Sequence, residues 1–343
     1  MDYKRILIKI PNWLGDAVMS LPTIKAMRSL FPGSRISVLV RTNLAELFKY
    51  ERAIDDIISY ENVKGLKKIG TEIKLIQHLK NKRFDLALIL PRSFHSALVS
   101  LLTKIPRRAG YDSEGRSGLL TDALPRTKEI LTRHRVHYFL NLLSIWSGDK
   151  PVTSAEPQIM LSQEEEKWAV NELKKAAASG AKYFIGINPG ATYGEAKCWA
   201  TERFVELAKE LLDKYPGLHI ILIGGPDGLK LSQRILCQIN SKRATDFTGK
   251  TSILQLASLL KKCKLLITND TGPMHVAAAV GTPVAAIFGP TDISTTGPFG
   301  YGHTIIRKEV ACAPCLKRSC PTDHKCMKLI TVPDVLKACQ KYL

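Results

Sequence analysis

Residues 265–291 read LLITNDTGPMHVAAAVGTPVAAIFGPT. Leu265–Ile267 is a short apolar run of the kind buried on both faces of a parallel sheet. Thr268-Asn269-Asp270-Thr271-Gly272 breaks that run. Pro273 suits the start of a helix, where its missing N–H has no partner to lose. Met274–Val280 is rich in small residues, which let a helix lie close to its sheet. Gly281 can end the helix in a left-handed conformation, Pro283 blocks its continuation, and Val284–Phe288 is a second buried strand. The unit is β-α-β, and its helix starts at the carboxyl end of a strand, where open parallel sheets bind ligands. The N–H groups of that helix start suit an anion such as a diphosphate. Asp270 and Thr271 serve equally well as helix caps, and His275 as a half-buried residue of the first turn. The unit alone leaves binding and capping both open.

Upstream, the same pattern repeats. Phe184–Ile187 is a strand closed by Asn188-Pro189-Gly190-Ala191-Thr192, with Lys197 and Trp199 just before a helix over 201–214. His219–Ile223 ends in Gly224-Gly225-Pro226-Asp227, and a short strand ends at Gly249. Four strands thus close on small residues, at 188–192, 224–227, 248–250 and 268–272, and backbone can approach a ligand closely there. Asn188, Gly190, Ala191, Thr192, Gly224 and Asp227 are therefore candidate ligand contacts together with Asp270, Thr271, Gly272 and His275.

The first half alternates in the same way. Lys4–Ile10 is a strand, Pro11-Asn12-Trp13-Leu14-Gly15-Asp16 a turn and 17–30 an amphipathic helix. The G-x-G-x-x-G dinucleotide fingerprint is absent, which counts against a nicotinamide-linked dehydrogenase. Asp16 reads either as a favourable charge at a helix start or as a base at the ligand edge. Further strands are expected up to Arg107–Tyr111, followed by a charged loop over 112–126.

The chain has 343 residues, 45% of them hydrophobic, which suits two globular domains. No apolar run approaches the ~20 residues that span a bilayer, and MDYKRILIKI enters a strand directly instead of forming a signal peptide, so a cytoplasmic location is expected. Formal charge is +19, which asks for an anionic partner: nucleic acid, a membrane surface or a phosphorylated substrate. A non-catalytic nucleic-acid-binding protein is the rival reading, but no nucleic-acid motif is evident and aromatics are only 7%. Residues 1–150 hold 26 Lys and Arg against 14 Asp and Glu, concentrated over 104–137. Of these, Arg107, Arg108 and Arg116 are taken as anion contacts. Gly148–Pro157 reads as the linker between domains 1–150 and 151–343. Cys312, Cys315, Cys320 and Cys326 form CAPCLKRSCPTDHKC; a structural metal site and reduced thiols packed in a loop both fit.

Three segments carry a family resemblance: GDAVMSLP at 15–22, NPGA at 188–191 followed by Lys197-x-Trp199, and NDTGPMHVAAAVGTPVAAIFGPT at 269–291. They resemble the ADP-heptose:lipopolysaccharide heptosyltransferases of glycosyltransferase family 9. The resemblance implies a GT-B fold, with two Rossmann-like, doubly wound α/β domains facing a cleft. An N-terminal domain would bind the acceptor and a C-terminal domain the nucleotide-sugar donor, with the C-terminal helix free to pack back on the first domain. It implies inverting transfer of L-glycero-D-manno-heptose from ADP-heptose to the phosphorylated, Kdo-bearing inner core of lipopolysaccharide, at the inner face of the inner membrane. The cysteine segment resembles the branch that adds the second heptose, onto heptosyl-Kdo2-lipid A, rather than the first- or third-heptose branches. By the same resemblance Asp16 is the general base, with Gly15 beside the acceptor. Lys197 meets charge on the ADP leaving group, Thr192 and the Asp270–Gly272 loop hold the diphosphate, and neither cofactor nor metal is required.

Overall fold

In a computed structural model of the chain, which describes residues 3–63, 65, 67–148, 156–177 and 180–343, both halves are built on one strand order. The first six strands are β1 (Arg5–Lys9), β2 (Arg35–Arg41), β3 (Asp56–Tyr60), β4 (Leu86–Ile89), β5 (Arg107–Tyr111) and β6 (Asp122–Leu124). They form a sheet in the order β3-β2-β1-β4-β5-β6. The next six are β7 (Tyr183–Asn188), β8 (Leu218–Leu222), β9 (Ala244–Asp246), β10 (Cys263–Asn269), β11 (Val284–Ile287) and β12 (Thr304–Ile306). Their order, β12-β11-β10-β7-β8-β9, is the same when numbered within the unit. All pairings are parallel. Each sheet grows outward from its first strand in both directions, so right-handed crossovers place helices on both faces. The direction reverses between β1 and β4 in one sheet and between β7 and β10 in the other.

The chain divides into compact units Met1–Gln158 and Ile159–Leu343. The Gln158 side chain accepts a hydrogen bond from Lys25 Nζ at 3.3 Å, whereas Ile159 N–H donates to Ala279 O at 3.1 Å. The division therefore falls after Gln158 instead of at 150, and most of the expected linker lies outside the described residues.

Local chemistry accounts for the elements near the strand ends. The expected helix over 17–30 is two helices, Leu14–Met19 and Leu21–Leu30. Pro22 has no N–H to continue the first ladder, but it fits the opening turn of the second. The helix Thr201–Lys214 buries Phe204, Leu207, Ala208, Leu211 and Leu212, the three-and-four spacing of an amphipathic face. Gly281 has φ +80°, the left-handed ending expected of it. The C-terminal helix Val332–Cys339 packs on Thr201–Lys214, β11 and β12, and Val332, Val335 and Cys339 join the core of the second unit. Strands β6 and β12 were not anticipated. Each has three residues at a sheet edge, too few to show any period.

Candidate active site

In the second unit the site forms where β7 and β10 end side by side. Asn188 and Asn269, one at each strand end, are buried and tie the loops together. Asn188 Nδ2 donates to Thr268 Oγ1 at 3.0 Å. Asn269 Nδ2 donates to Pro189 O at 2.7 Å, and its Oδ1 accepts Trp199 N–H at 3.1 Å. These bonds hold the 188–199 segment against β10 and bring Lys197 to Asp270. The ammonium donates to Asp270 Oδ2 at 2.5 Å, and Thr291 Oγ1, on the loop after β11, donates to the same oxygen at 2.6 Å. The paired side chains are only 11% and 4% exposed. Lys197 also lies 4.7 Å from the centre of the Tyr193 ring. Three strand-end loops thus converge on one desolvated carboxylate, where Coulomb forces are strong.

Thr271 occupies the N-cap of the helix Gly272–Ala279 and makes no side-chain capping bond. The Asp270 carboxylate is engaged by Lys197 and Thr291 instead, so capping is not the role of this acid. His275 is buried in the first turn. Thr192 and Asp227 are exposed on loops at the same carboxyl edge, and Ala191 is half-buried. A Cβ added at Gly190 would meet nothing within 4 Å, whereas one at Gly224 would come within 3.4 Å of Asn188 Oδ1. Gly224 therefore sits close against neighbouring side chains, and Gly190 borders open space.

The cysteine segment packs against the ligand edge of the second unit. Leu316 N–H donates to Pro290 O at 2.8 Å, and Leu316 O accepts the Tyr193 hydroxyl at 3.0 Å. Ala196 N–H donates to Arg318 O at 3.0 Å, and His324 Nε2 donates to Ala196 O at 2.7 Å. The segment braces both the Lys197 turn and the Thr291 loop. All eight cysteines are free thiols. Burial pushes the Cys326 thiol up, and the neighbouring Cys312, Cys320 and Cys315 push it further. Among the described residues no three Cys, His, Asp or Glu side chains are grouped as a metal ion requires.

In the first unit, Asp16 lies in the first turn of Leu14–Met19, beyond the end of β1 and next to the point where the sheet reverses direction. Gly15 and Asp16 are half-buried. Burial holds the Arg135 guanidinium below its ordinary value, the Asp16 carboxylate raises it again, and Arg92 and Arg126 crowd it. Asp16 and Arg135 are thus electrostatic neighbours, and Arg135 in turn lies within reach of two further arginines.

The three arginines expected to bind an anion are elsewhere. Arg107 and Arg108 open β5 and so sit at the amino edge of the sheet. Arg107 pairs with Asp122 at 2.5 Å, and Arg108 donates to Leu119 O at 2.8 Å and Ile105 O at 2.5 Å. Arg116 is fully buried. It donates to Tyr111 O at 2.8 Å and Pro91 O at 2.5 Å, and burial pushes its guanidinium down to about 10. Arg116 is a strut that holds the loop after β4; Arg116→Ala should cost roughly 1–3 kcal/mol of stability by orphaning its acceptors, measurable by chemical denaturation. Among the described residues no helix is long and apolar enough to cross a membrane.

Comparison with known proteins agrees with this geometry. The profile of Glycosyltransferase family 9 (heptosyltransferase) matches residues 72–326. Lipopolysaccharide heptosyltransferase 2 of Escherichia coli K12 is 31% identical over 310 residues, which is 88% of each chain. The solved structure of E. coli ADP-heptose lps heptosyltransferase II superposes with a TM-score of 0.83 at 29% identity, covering 98% of both chains. An E. coli heptosyltransferase solved with ADP-2-deoxy-2-fluoro heptose shares the fold at a TM-score of 0.71 and 19% identity, over 99% of this chain and 100% of the other. The doubly wound pair of α/β units is thus of the GT-B type. With a family profile over most of its length and a relative matched across both units, the chain belongs to glycosyltransferase family 9, the heptosyltransferases.

Proposed function

We propose that this heptosyltransferase moves L-glycero-D-manno-heptose from ADP-heptose to the lipopolysaccharide inner core, adding the second heptose to heptosyl-Kdo2-lipid A. The observation that carries the donor half is the Lys197–Asp270–Thr291 knot at the sheet reversal of the second unit. It presents a fixed cation beside a strand-end loop and a helix start, where a diphosphate is held and its developing charge is met. Asn188, Gly190, Ala191 and Thr192 line the approach on one side and Gly224 and Asp227 on the other, with Thr271, Gly272 and His275 at the helix start.

Asp16 is the general base. As the acceptor hydroxyl oxygen attacks the anomeric carbon, its proton passes to the Asp16 carboxylate. The bond from that carbon to the β-phosphate oxygen breaks, and ADP departs with its new charge facing Lys197. Attack opposite the leaving group inverts the anomeric centre. Lys197 and the helix start do what a divalent ion does in other transferases, so turnover should persist in excess EDTA; loss of activity restored by Mg2+ would refute this.

The second-heptose assignment is supported by the heptosyltransferase 2 relative and the cysteine segment. Its test is incubation with ADP-heptose and defined acceptors carrying no heptose or one, with product analysed by mass spectrometry. Product from the heptose-free acceptor alone would reject it. The acceptor is a phosphorylated, Kdo-bearing lipid, so work at the inner face of the inner membrane without a spanning segment is part of the proposal. Nucleic acid is not a partner.

Arg92, Arg126 and Arg135 replace Arg107, Arg108 and Arg116 as the acceptor contacts. Arg135→Ala should raise the acceptor KM about tenfold or more, because a charge-assisted bond contributes roughly 1.5–3 kcal/mol. The donor KM should stay within about twofold. Arg107→Ala with Arg108→Ala should leave the acceptor KM unchanged, and a raised value in that variant would reinstate the amino-edge pair.

A further inference from the structure

The first unit holds a cavity of about 240 Å3 that none of the steps above uses. It opens among the carboxyl ends of β1–β3, the loop after β3, and the helices Lys67–Lys82 and Phe94–Leu102. Lys9, the last residue of β1, reaches it with 7% of its surface exposed. The lysine donates to the Tyr60 hydroxyl at 2.5 Å and lies 4.1 Å from the centre of that ring. Among the described residues no carboxylate comes within ion-pair distance of it. Arg41 lines the same space, and its buried Nε has no hydrogen-bond partner.

The other charged groups facing Lys9 do not supply the missing anion. From the helices come Lys68, Glu72 and His95, and Glu72 is already 3.0 Å from His95 Nε2. The loop contributes Glu61, exposed at the rim. A buried lysine beside a second cation that keeps an unpartnered buried Nε is costly unless an anion completes the site. We propose that this cavity binds one small anionic group, a carboxylate or a sulfate- or phosphate-type oxyanion, held between Lys9 and Arg41. The proposal deepens the acceptor-domain reading, because the Tyr60 hydroxyl donates on to Asn12 Oδ1 at 2.8 Å. Asn12 stands in the loop that leads into the helix Leu14–Met19, which carries Asp16, so an occupant that draws on Lys9 and Tyr60 acts on the approach to the proposed general base.

Burial and the Arg41 charge lower Lys9 from 10.5 to about 7. Above that pH the lysine is neutral and must gain a proton to hold an anion, so affinity falls by about tenfold per pH unit. Sulfate is the probe, since it does not itself titrate in this range. It is titrated calorimetrically into the full chain, without donor or acceptor, at pH 6.0 and 8.5 and in two buffers of different ionisation enthalpy. The expected result is saturable binding, at least about tenfold tighter at the lower pH, with proton uptake seen as a buffer-dependent heat at the higher. Lys9→Met should abolish binding while remaining folded. Between about 7 and 10.5 the unfolded state holds the Lys9 proton and the native state does not, so native stability falls as pH drops through that window. Removing the charge should therefore raise the melting temperature at pH 7. Lys9→Arg should bind sulfate at both pH values with no proton uptake. Absence of saturable binding at pH 6.0, or unchanged binding in folded Lys9→Met, overturns the proposal and leaves heptosyl transfer untouched, since no turnover is read. Sulfate inhibition competitive with the one-heptose acceptor assigns the site to an anionic group of that acceptor. Saturable binding without competition assigns it to a free anion.

Discussion

Asp16→Asn will abolish turnover, with kcat down by roughly 10²–10⁴, while the melting temperature and ADP affinity stay near those of the parent. Asparagine has nearly the same shape and can sit in the first turn of Leu14–Met19, but it cannot accept the acceptor's proton. The half-buried carboxylate is an electrostatic neighbour of Arg135, which Arg92 and Arg126 also influence, so the variant also removes a counter-charge from that guanidinium. The acceptor KM should therefore change less than kcat, and in the direction of tighter binding of an anion. ADP binding is assigned to residues of the second unit, so it reports folding and donor recognition apart from the base. Rapid-quench measurement of a single turnover isolates the chemical step. A single-turnover rate within about threefold of the parent would remove Asp16 from that role.

Lys197→Ala will damage both chemistry and stability. In the proposed mechanism its ammonium faces the departing diphosphate, and loss of one such preorganised group typically costs about 10²–10³ in kcat. The same substitution leaves Asp270, 4% exposed, facing Thr291 without its cation. Breaking a buried pair from one side costs on the order of 3–5 kcal/mol. The Asp270→Ala variant should be destabilised for the mirror-image reason, through an unpaired buried lysine. The double variant then carries no orphaned charge and should be more stable than the sum of the single losses requires. Its activity should not recover. Additive losses in denaturant unfolding of the three variants would show that the pair is not coupled as its 2.5 Å contact implies.

The fold was legible because its strands declare themselves. Leu265–Ile267 and Val284–Phe288 are continuous apolar runs, and the punctuation by Gly281 and Pro283 leaves one interpretation of the helix between them. Asp270 and Lys197 were legible through residue type and neighbouring glycines. What the sequence could not state was which carboxylate oxygen meets which donor across long separations. Thr291 was passed over as the end of a strand, although it completes the knot. The placement of Arg107, Arg108 and Arg116 was hidden for a geometric reason. A run of basic residues over 104–137 crosses both edges of one sheet, and linear density does not distinguish the amino end of β5 from the loop beyond it. Arg116 shows the same limit: a guanidinium that ties the end of β5 to the loop after β4 looks, in sequence, like any surface cation. Lys9 was hidden as one more residue of an alternating strand.

The brace from the cysteine segment bears on synthesis. The bond between His324 and Ala196 spans 128 residues, and that between Leu316 and Tyr193 spans 123. Domains form in the order in which they leave the ribosome, and the first unit can close while the second is still being made. Asn269 can hold the 188–199 segment once β10 is in place, but the bonds to Ala196 and Tyr193 form only when residues near 324 emerge, close to the end of translation. A chain released early would carry a closed first unit and a Lys197 turn that lacks its brace from the cysteine segment.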